Sequence, residues 1–218
     1  MPIDFDKARR AMVEQQVRPW EVLDPRVLDV LAAVNREDFV APRHRKLAYA
    51  DLALPLEHGE VMLKPVIEGR LLQALDLDEH EEVLEVGTGS GYLSTCLAHL
   101  ARAVVSIDIH ADFVDRARSR AEQMGLSNLR VAQADALEYE PQRQFDAVVV
   151  SGAVTTIPSR FREWLRPGGR LFVVRGQSPV MEAVLVTRTD EERWQEESLF
   201  ETDIPYLHGA APVARFVL

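Results

Sequence analysis

Val83-Leu84-Glu85-Val86-Gly87-Thr88-Gly89-Ser90-Gly91-Tyr92 leads from a short apolar segment through three alternating glycines into a helical pattern. This order predicts a strand, a glycine loop and the start of a helix. Glycines let the backbone turn tightly and let a ligand approach closely, and the first N–H groups of a helix favour a carboxylate. A dinucleotide fingerprint, G-x-G-x-x-G, would need a glycine where Tyr92 stands. The loop therefore predicts a ligand site that departs from the dinucleotide pattern.

Strand and helix patterns alternate after this loop. Five strands are predicted at Val83–Val86, Val104–Ile107, Leu129–Ala132, Phe145–Val150 and Arg170–Val174, with helices at Leu93–Leu100, Ala111–Met124 and Pro158–Leu165 between them. Two more strands, near Glu182–Arg188 and Arg193–Glu201, are expected to close the sheet in antiparallel fashion. The predicted fold class is α/β: a Rossmann-like, doubly wound, mostly parallel seven-stranded sheet within residues 82–218.

The segment before the loop, residues 1–75, is predicted as a helical addition to this sheet. Asp24 followed by Pro25 suits a helix N-cap with proline in the first position. Another helix is predicted over Pro65–Leu75, and the prolines between residues 40 and 64 indicate loops or short elements. We expect residues 1–218 to form a single domain.

Composition limits the classes of function. The net charge of −10 argues against a nucleic-acid binder held by a basic surface. Cys96 is the single cysteine, so an internal disulfide and a cysteine-based zinc motif are excluded, and no metal is expected. No apolar run approaches the roughly 18 residues of a membrane span, and Met1–Arg10 lacks the apolar stretch of a signal peptide. These features predict a cytoplasmic protein with no membrane or nucleic-acid partner.

Three acidic residues follow or end predicted strands and indicate the charge of the ligand. Glu85 precedes the glycine loop, Asp108 ends the second strand, and Asp135 follows the third. An acid at the second position is suited to ribose hydroxyls, and open α/β sheets bind ligands at the carboxyl ends of their strands. Glu85 would repel a pyrophosphate but suit S-adenosylmethionine, whose free groups give a net charge of about +1. The sequence therefore predicts S-adenosylmethionine as the cofactor.

The chain resembles the protein-L-isoaspartate O-methyltransferase family from about Met12 to Gly176. Besides the glycine loop, the resemblance rests on Asp24–Leu28, Phe39-Val40, Ala48-Tyr49, Ala53–Pro55, Phe145–Ala147, Ile157-Pro158 and Leu165–Leu171. It implies methyl transfer to a carboxylate of a damaged peptide. It also implies that the cofactor is bound by Glu85, Gly87, Gly89, Asp108 and Asp135. Further candidate cofactor-binding residues are Val86, Thr88, Ser90, Tyr92, Ile109, Ala136 and Met62.

The chain departs from the family in the loop before the helix at Pro65. Repair enzymes of the family read Gly-Gln-Thr-Ile-Ser-Gln-Pro, whereas this chain reads Gly59-Glu60-Val61-Met62-Leu63-Lys64-Pro65. Leu63 therefore occupies the position of the family's active-site serine, and leucine cannot form that hydrogen bond. Lys64 is a candidate contact to an anionic substrate, and the alternative is a solvated loop lysine. His58 is a candidate contact to substrate or cofactor, and the alternative is a solvent-facing or locally bonded histidine. Met62 and Leu63 are either an apolar lid over the methyl group or core residues.

These observations leave three functions open. The first is a methyltransferase with an altered acceptor, either a peptide or a small molecule. The second is authentic isoaspartate repair despite Leu63, and the third is a regulatory protein that binds the cofactor without turnover. A carboxylate acceptor is ionised at neutral pH and needs no general base, so catalysis would rest on alignment and exclusion of water. The sequence leaves the acceptor and the oligomeric state open.

Overall fold

The computed structural model describes residues 3–212, so residues 1–2 and 213–218 of the predicted domain lie outside the described residues. Helices α1, α2 and α3 cover Phe5–Met12, Pro25–Ala33 and Pro65–Leu75, and α1 continues as a π-helical turn at Val13–Val17 and a 3₁₀ turn at Arg18–Trp20. The Asp24 carboxylate accepts the Arg26 N–H at 2.8 Å, so α2 has the predicted cap.

A short hairpin joins this helical region to α3. Its strands are β1, Leu54–Pro55, and β2, Val61–Met62, which pair antiparallel. The 3₁₀ turn Glu57–Gly59 forms the tip, where His58 and Gly59 both have left-handed backbone conformations. The sequence predicted only loops or short elements here, because two-residue strands carry no periodicity. We call residues 54–62 the cover hairpin.

The remaining described chain alternates strands with helices. The strands are β3, Glu82–Val86; β4, Ala103–Asp108; β5, Leu129–Gln133; β6, Phe145–Val154; β7, Leu165–Gln177; β8, Val180–Arg188; and β9, Trp194–Thr202. The helices are α4, Tyr92–Leu100; α5, Ala111–Gln123; and α6, Ser159–Glu163. Within residues 3–212 the strand order is β5-β4-β3-β6-β7-β8-β9, with β3 to β7 parallel and β8 and β9 antiparallel. The predicted fold class is confirmed.

Both faces of the sheet are covered by apolar side chains. Val83 packs with the N-terminal helices, α4 and α5 on one face, whereas Leu84 and Val86 pack with α6 on the other. Cys96 is fully buried on the first face, as expected for a small core residue. Because β3 and β6 lie on either side of the point where the strand order reverses, a crevice is expected at their carboxyl ends.

Several predicted boundaries differ from the structure: β6 runs four residues further, to Val154, the helix predicted over Pro158–Leu165 covers only Ser159–Glu163, and the largest shift is at the start of β7. The strand predicted at Arg170–Val174 begins earlier, at Leu165, which pairs with Phe145 before the register shifts so that Arg170 opposes Ala147. The Pro167-Gly168-Gly169 segment forms the irregularity, so it interrupts pairing without ending the strand.

Candidate functional site

A cleft of about 700 Å³ opens at the carboxyl ends of β3, β4 and β6. The residues that line the cleft are Glu60, Val61, Val86, Gly87, Gly89, Ile107, Asp108, Ile109, His110, Phe113, Ala134, Asp135, Ala136, Leu137, Ser151, Gly152, Pro205, Tyr206, Leu207 and His208. The cover hairpin thus supplies one wall, the sheet supplies the floor, and the segment after β9 supplies another wall.

The glycine loop needs its glycines because of backbone conformation and space. Gly87 has φ +93°, and a Cβ there would overlap the Ser151 hydroxyl. That hydroxyl donates to the carbonyl oxygens of Val86 at 3.0 Å and Gly87 at 2.8 Å, which fixes the loop against β6. Gly89 has φ +49°, and a Cβ there would touch Leu56 of the cover hairpin. The backbone of this loop is therefore held directly beneath the hairpin.

Asp108 is 7% exposed at the end of β4 and lines the cleft. Its Oδ2 accepts the Gly89 N–H at 2.8 Å, and its Oδ1 accepts the His110 N–H at 2.9 Å. The carboxylate therefore links the glycine loop to the start of α5. Each oxygen keeps acceptor capacity for a ligand hydroxyl.

Glu85 is fully buried and does not line the cleft. Its Oε2 accepts the Ser94 hydroxyl, and its Oε1 has no hydrogen-bond partner among residues 3–212. Burial raises the pKa of Glu85 to about 8, against the opposing effect of the Ser106 and Ser94 hydroxyls. Two of the three predicted acids, Asp108 and Asp135, therefore meet at the cleft, while Glu85 lies outside its lining.

Asp135 and Ala136 form the end of the cleft beside β5. Asp135 Oδ1 accepts the Leu137 N–H at 2.9 Å, so this carboxylate stabilises the turn that carries it. Ile109 and Phe113 add apolar surface near the start of α5. An apolar slot with a carboxylate at its end is suited to a planar ring that carries an amino group.

Seven of the twelve predicted cofactor residues line the cleft: Val86, Gly87, Gly89, Asp108, Ile109, Asp135 and Ala136. Glu85, Thr88, Ser90, Tyr92 and Met62 do not. Thr88 is buried, with its hydroxyl 2.6 Å from that of Ser106, and the Ser90 hydroxyl accepts the Tyr92 N–H at 3.3 Å. These side chains stabilise the loop from behind.

Met62 and Leu63 are core residues rather than a lid. Met62 is 3% exposed and Leu63 is 6% exposed, and both pack in the cluster beneath the N-terminal helices. The Leu63 carbonyl accepts from the buried guanidinium of Arg36, which also pairs with Glu68. The same guanidinium lies 4.8 Å from the centre of the Tyr92 ring. Leu63 therefore lies behind the cleft wall that Glu60 and Val61 form.

His58 and Lys64 also lie outside the cleft lining. The Nε2 of His58 is 2.8 Å from Asp112 Oδ1, and its ring stacks on that of His110 with centroids 3.9 Å apart. Lys64 is exposed at the residue before α3. The structure thus favours the locally bonded histidine and the solvated lysine among the alternatives.

Several residues of the cleft had no individual role predicted from the sequence. Ser151 and Gly152 come directly after the apolar residues of β6. Residues at the end of a buried parallel strand are expected near a ligand site, and this position is the sequence feature that points to them. His110 lies two residues after Asp108, on the same strand-to-helix connection. The position of Glu60 in the cleft could not be predicted from the sequence, because it depends on how the hairpin packs against a strand end that is distant along the chain.

The helices of residues 3–212 include none that is both long enough and apolar enough to cross a membrane. His208 and its neighbours after β9 line the cleft, in the segment whose resemblance to the family is weak.

Comparison with known proteins assigns the chain to a family. The family model described as protein-L-isoaspartate(D-aspartate) O-methyltransferase matches residues 7–203. A protein-L-isoaspartate O-methyltransferase of Koribacter versatilis is 37% identical over 196 residues, covering 89% of this chain and 87% of the relative. Protein-L-isoaspartate O-methyltransferase 2 of Anaeromyxobacter sp. is 39% identical over 183 residues, covering 83% and 75%.

Solved structures share the fold. A Plasmodium falciparum protein-L-isoaspartate O-methyltransferase in complex with S-adenosyl-L-homocysteine superposes with a TM-score of 0.79 at 17% identity, covering 91% of this chain and 97% of that one. Taken with the extent of the sequence matches, the chain belongs to the protein-L-isoaspartate O-methyltransferase family.

Proposed function

We propose that this chain methylates an acceptor other than the isoaspartyl carboxylate, within the chemistry of its family. Membership of that family makes it an S-adenosylmethionine-dependent methyltransferase. The acceptor is the part that we infer, and it is a peptide or small molecule that enters beside the cover hairpin.

The residues of the cleft fit the cofactor. Asp108 and Glu60 give the cleft negative charge, and Asp135 lies where a carboxylate can accept from an amino group on a ring. At Gly87 the space that a Cβ would take is occupied by the Ser151 hydroxyl, which packs the glycine loop against β6. Glu85 Oε1, which has no hydrogen-bond partner within residues 3–212, lies buried behind the loop. These features suit a cation with ribose hydroxyls better than a pyrophosphate.

The cofactor supplies a methyl group on a positively charged sulfur. The protein has to hold the acceptor in line with that methyl group and exclude water. Ser151 fixes the glycine loop through two carbonyl oxygens, and Asp108 fixes it through the Gly89 N–H. The cover hairpin and the segment at Tyr206–His208 close the cleft from both sides.

The observation that carries the proposal is the position of Leu63. The family's serine hydroxyl is replaced by an apolar side chain that is 6% exposed in the core. The loop residues at the cleft wall are Glu60 and Val61, in place of the family's glutamine and threonine. Loss of one positioning hydrogen bond costs about 1–3 kcal/mol, or about tenfold to a hundredfold in rate. Since several loop positions change together, a changed acceptor is favoured over a slower repair enzyme.

Isoaspartate repair is the second candidate, and the sequence matches support it. Relatives that carry the repair enzyme's name are 32–39% identical to this chain over most of their length. A single assay separates the two functions: incubation with labelled S-adenosylmethionine and an isoaspartyl peptide, followed by measurement of base-labile methyl ester.

We expect no ester above background from the unaltered chain and detectable ester from Leu63→Ser. Ester from the unaltered chain at a rate within tenfold of the variant would overturn the proposal in favour of repair. Leu77→Ser is the control, because Leu77 is also buried, at 3% exposure, and is not in the loop. It reproduces the cost of a buried hydroxyl without placing one at the family's serine position.

A further inference from the structure

Glu60 is a carboxylate at the cleft to which neither the sequence motifs nor the family resemblance gives a role. It lines the cleft on the cover hairpin, opposite the strand end that carries Asp108. Its side chain is about one-third exposed and makes no hydrogen bond within residues 3–212, and its nearest cationic partner, His110 Nε2, is 3.9 Å away. Its one-third exposure leaves the carboxylate oxygens open to water or to a ligand in the cleft.

Glu60 and Asp108 also act on each other. Burial raises the pKa of Glu60, the charges of His110 and His208 oppose that rise, and the nearby Asp108 carboxylate adds to it. Two carboxylates facing one cleft favour a ligand that brings hydrogen-bond donors or positive charge between them. Each oxygen of Asp108 already accepts one backbone N–H group, and a second carboxylate on the same cleft adds acceptors for the ribose hydroxyls.

The hairpin is held in place by contacts with α5 outside the cleft. Glu57 accepts from Arg116 at 2.9 Å, and His58 contacts Asp112 at 2.8 Å. The His58 ring stacks on His110 and meets the edge of Phe113 with centroids 5.4 Å apart. The backbone bond from Leu56 N–H to the Glu60 carbonyl, 2.8 Å long, then fixes Glu60 relative to this tip.

From this geometry we infer that Glu60 is a further cofactor ligand, whose carboxylate accepts a ribose hydroxyl beside Asp108 when the hairpin is docked on α5. The inference rests on the methyltransferase function proposed above. It assigns two roles to one hairpin: Glu60 contacts the nucleoside, and His58 is a positioning residue that keeps Glu60 over it.

Calorimetric binding of S-adenosylmethionine and S-adenosylhomocysteine tests the inference without turnover. We expect Glu60→Ala to weaken both ligands by about tenfold and Glu60→Gln by about threefold, because the two ligands share the ribose and a neutral amide oxygen is a weaker acceptor. Glu122→Gln is the control, since it removes the same charge from an exposed site on α5 and should change neither affinity by more than about twofold.

Equal affinities for the Glu60 variants and the unaltered chain would overturn the inference. So would a loss confined to S-adenosylmethionine, because that result would place Glu60 at the sulfonium charge instead of the ribose. If the unaltered chain bound neither ligand, the proposed function would fail as well, so the two failures are distinguishable.

The role of His58 is tested by a double-mutant cycle. His58→Ala should weaken both ligands, but should add little to the loss caused by Glu60→Ala, because an undocked hairpin no longer presents the carboxylate. Additive losses would mean that His58 acts independently of Glu60 and would overturn its positioning role.

Discussion

Glu85 holds its proton more tightly in the folded chain than in the unfolded chain. Its pKa rises from 4.5 to about 8 on burial, so between these values the folded state holds a proton that the unfolded state has released. Its contribution to stability is therefore complete below pH 4.5 and falls as pH rises toward about 8, by at most about 1.4 kcal/mol per pH unit.

We expect Glu85→Gln to gain stability relative to the unaltered chain as pH rises from 5.5 to 8.5 (E85Q cannot ionise). Urea unfolding at several pH values without cofactor measures this difference. Titrating groups that do not interact with Glu85 contribute equally to both proteins and cancel. A difference in unfolding free energy that stayed constant with pH would show that Glu85 is ionised throughout the range.

Asp108 combines a structural and a predicted ligand-binding role. Because it holds the Gly89 N–H and faces the cleft, Asp108→Ala should weaken S-adenosylmethionine binding at least tenfold by calorimetry. Asp115→Asn removes one charge from an exposed position on α5 and serves as the comparison. An unchanged affinity in Asp108→Ala would refute the ribose assignment that its position after β4 suggests.

At the scale of the element, the loop between β3 and α4 can be tested through its glycines. Gly87 and Gly125 both have left-handed conformations, with φ +93° and +70°, but only Gly87 faces a close neighbour, Ser151. Each change to alanine carries a conformational cost of about 1–2 kcal/mol. Gly87→Ala should lose more unfolding free energy than Gly125→Ala, and Ser151→Ala in the same chain should recover part of that excess. Equal losses at both glycines would show that the Ser151 contact is unimportant.

Elements with a long periodic pattern were predictable, and the short ones were not. The helix at Pro65–Leu75 has the predicted bounds because a proline starts it and apolar residues recur along one side. The strands of the cover hairpin have only two residues each, so no sequence pattern predicted that Glu60 would reach the cleft. Likewise, Met62 was predicted at the cofactor, whereas its direction into the core depends on how the hairpin packs.

At the scale of the whole molecule, a buried ion pair connects regions that are distant in sequence. Arg36, fully buried after α2, pairs with Glu68 of α3 and also donates to the Leu63 carbonyl behind the cleft wall. Neither residue could be singled out from the sequence, because charged side chains are mostly exposed and their pairing depends on tertiary packing. The network links the N-terminal region to the loop between Gly59 and Pro65.

Removing both partners of this pair should cost less than the two single removals added together. Glu68→Gln leaves the Arg36 guanidinium buried without its counter-ion, and Arg36→Met leaves both Glu68 and the Leu63 carbonyl unsatisfied. Each single change should lower the free energy of unfolding by about 3–5 kcal/mol, and Arg36→Met should be the more severe. The double change of Arg36→Met and Glu68→Leu should cost less than the sum, because it also removes the uncompensated charge. Urea unfolding of the three variants measures these values, and strictly additive losses would show that the two side chains do not depend on each other.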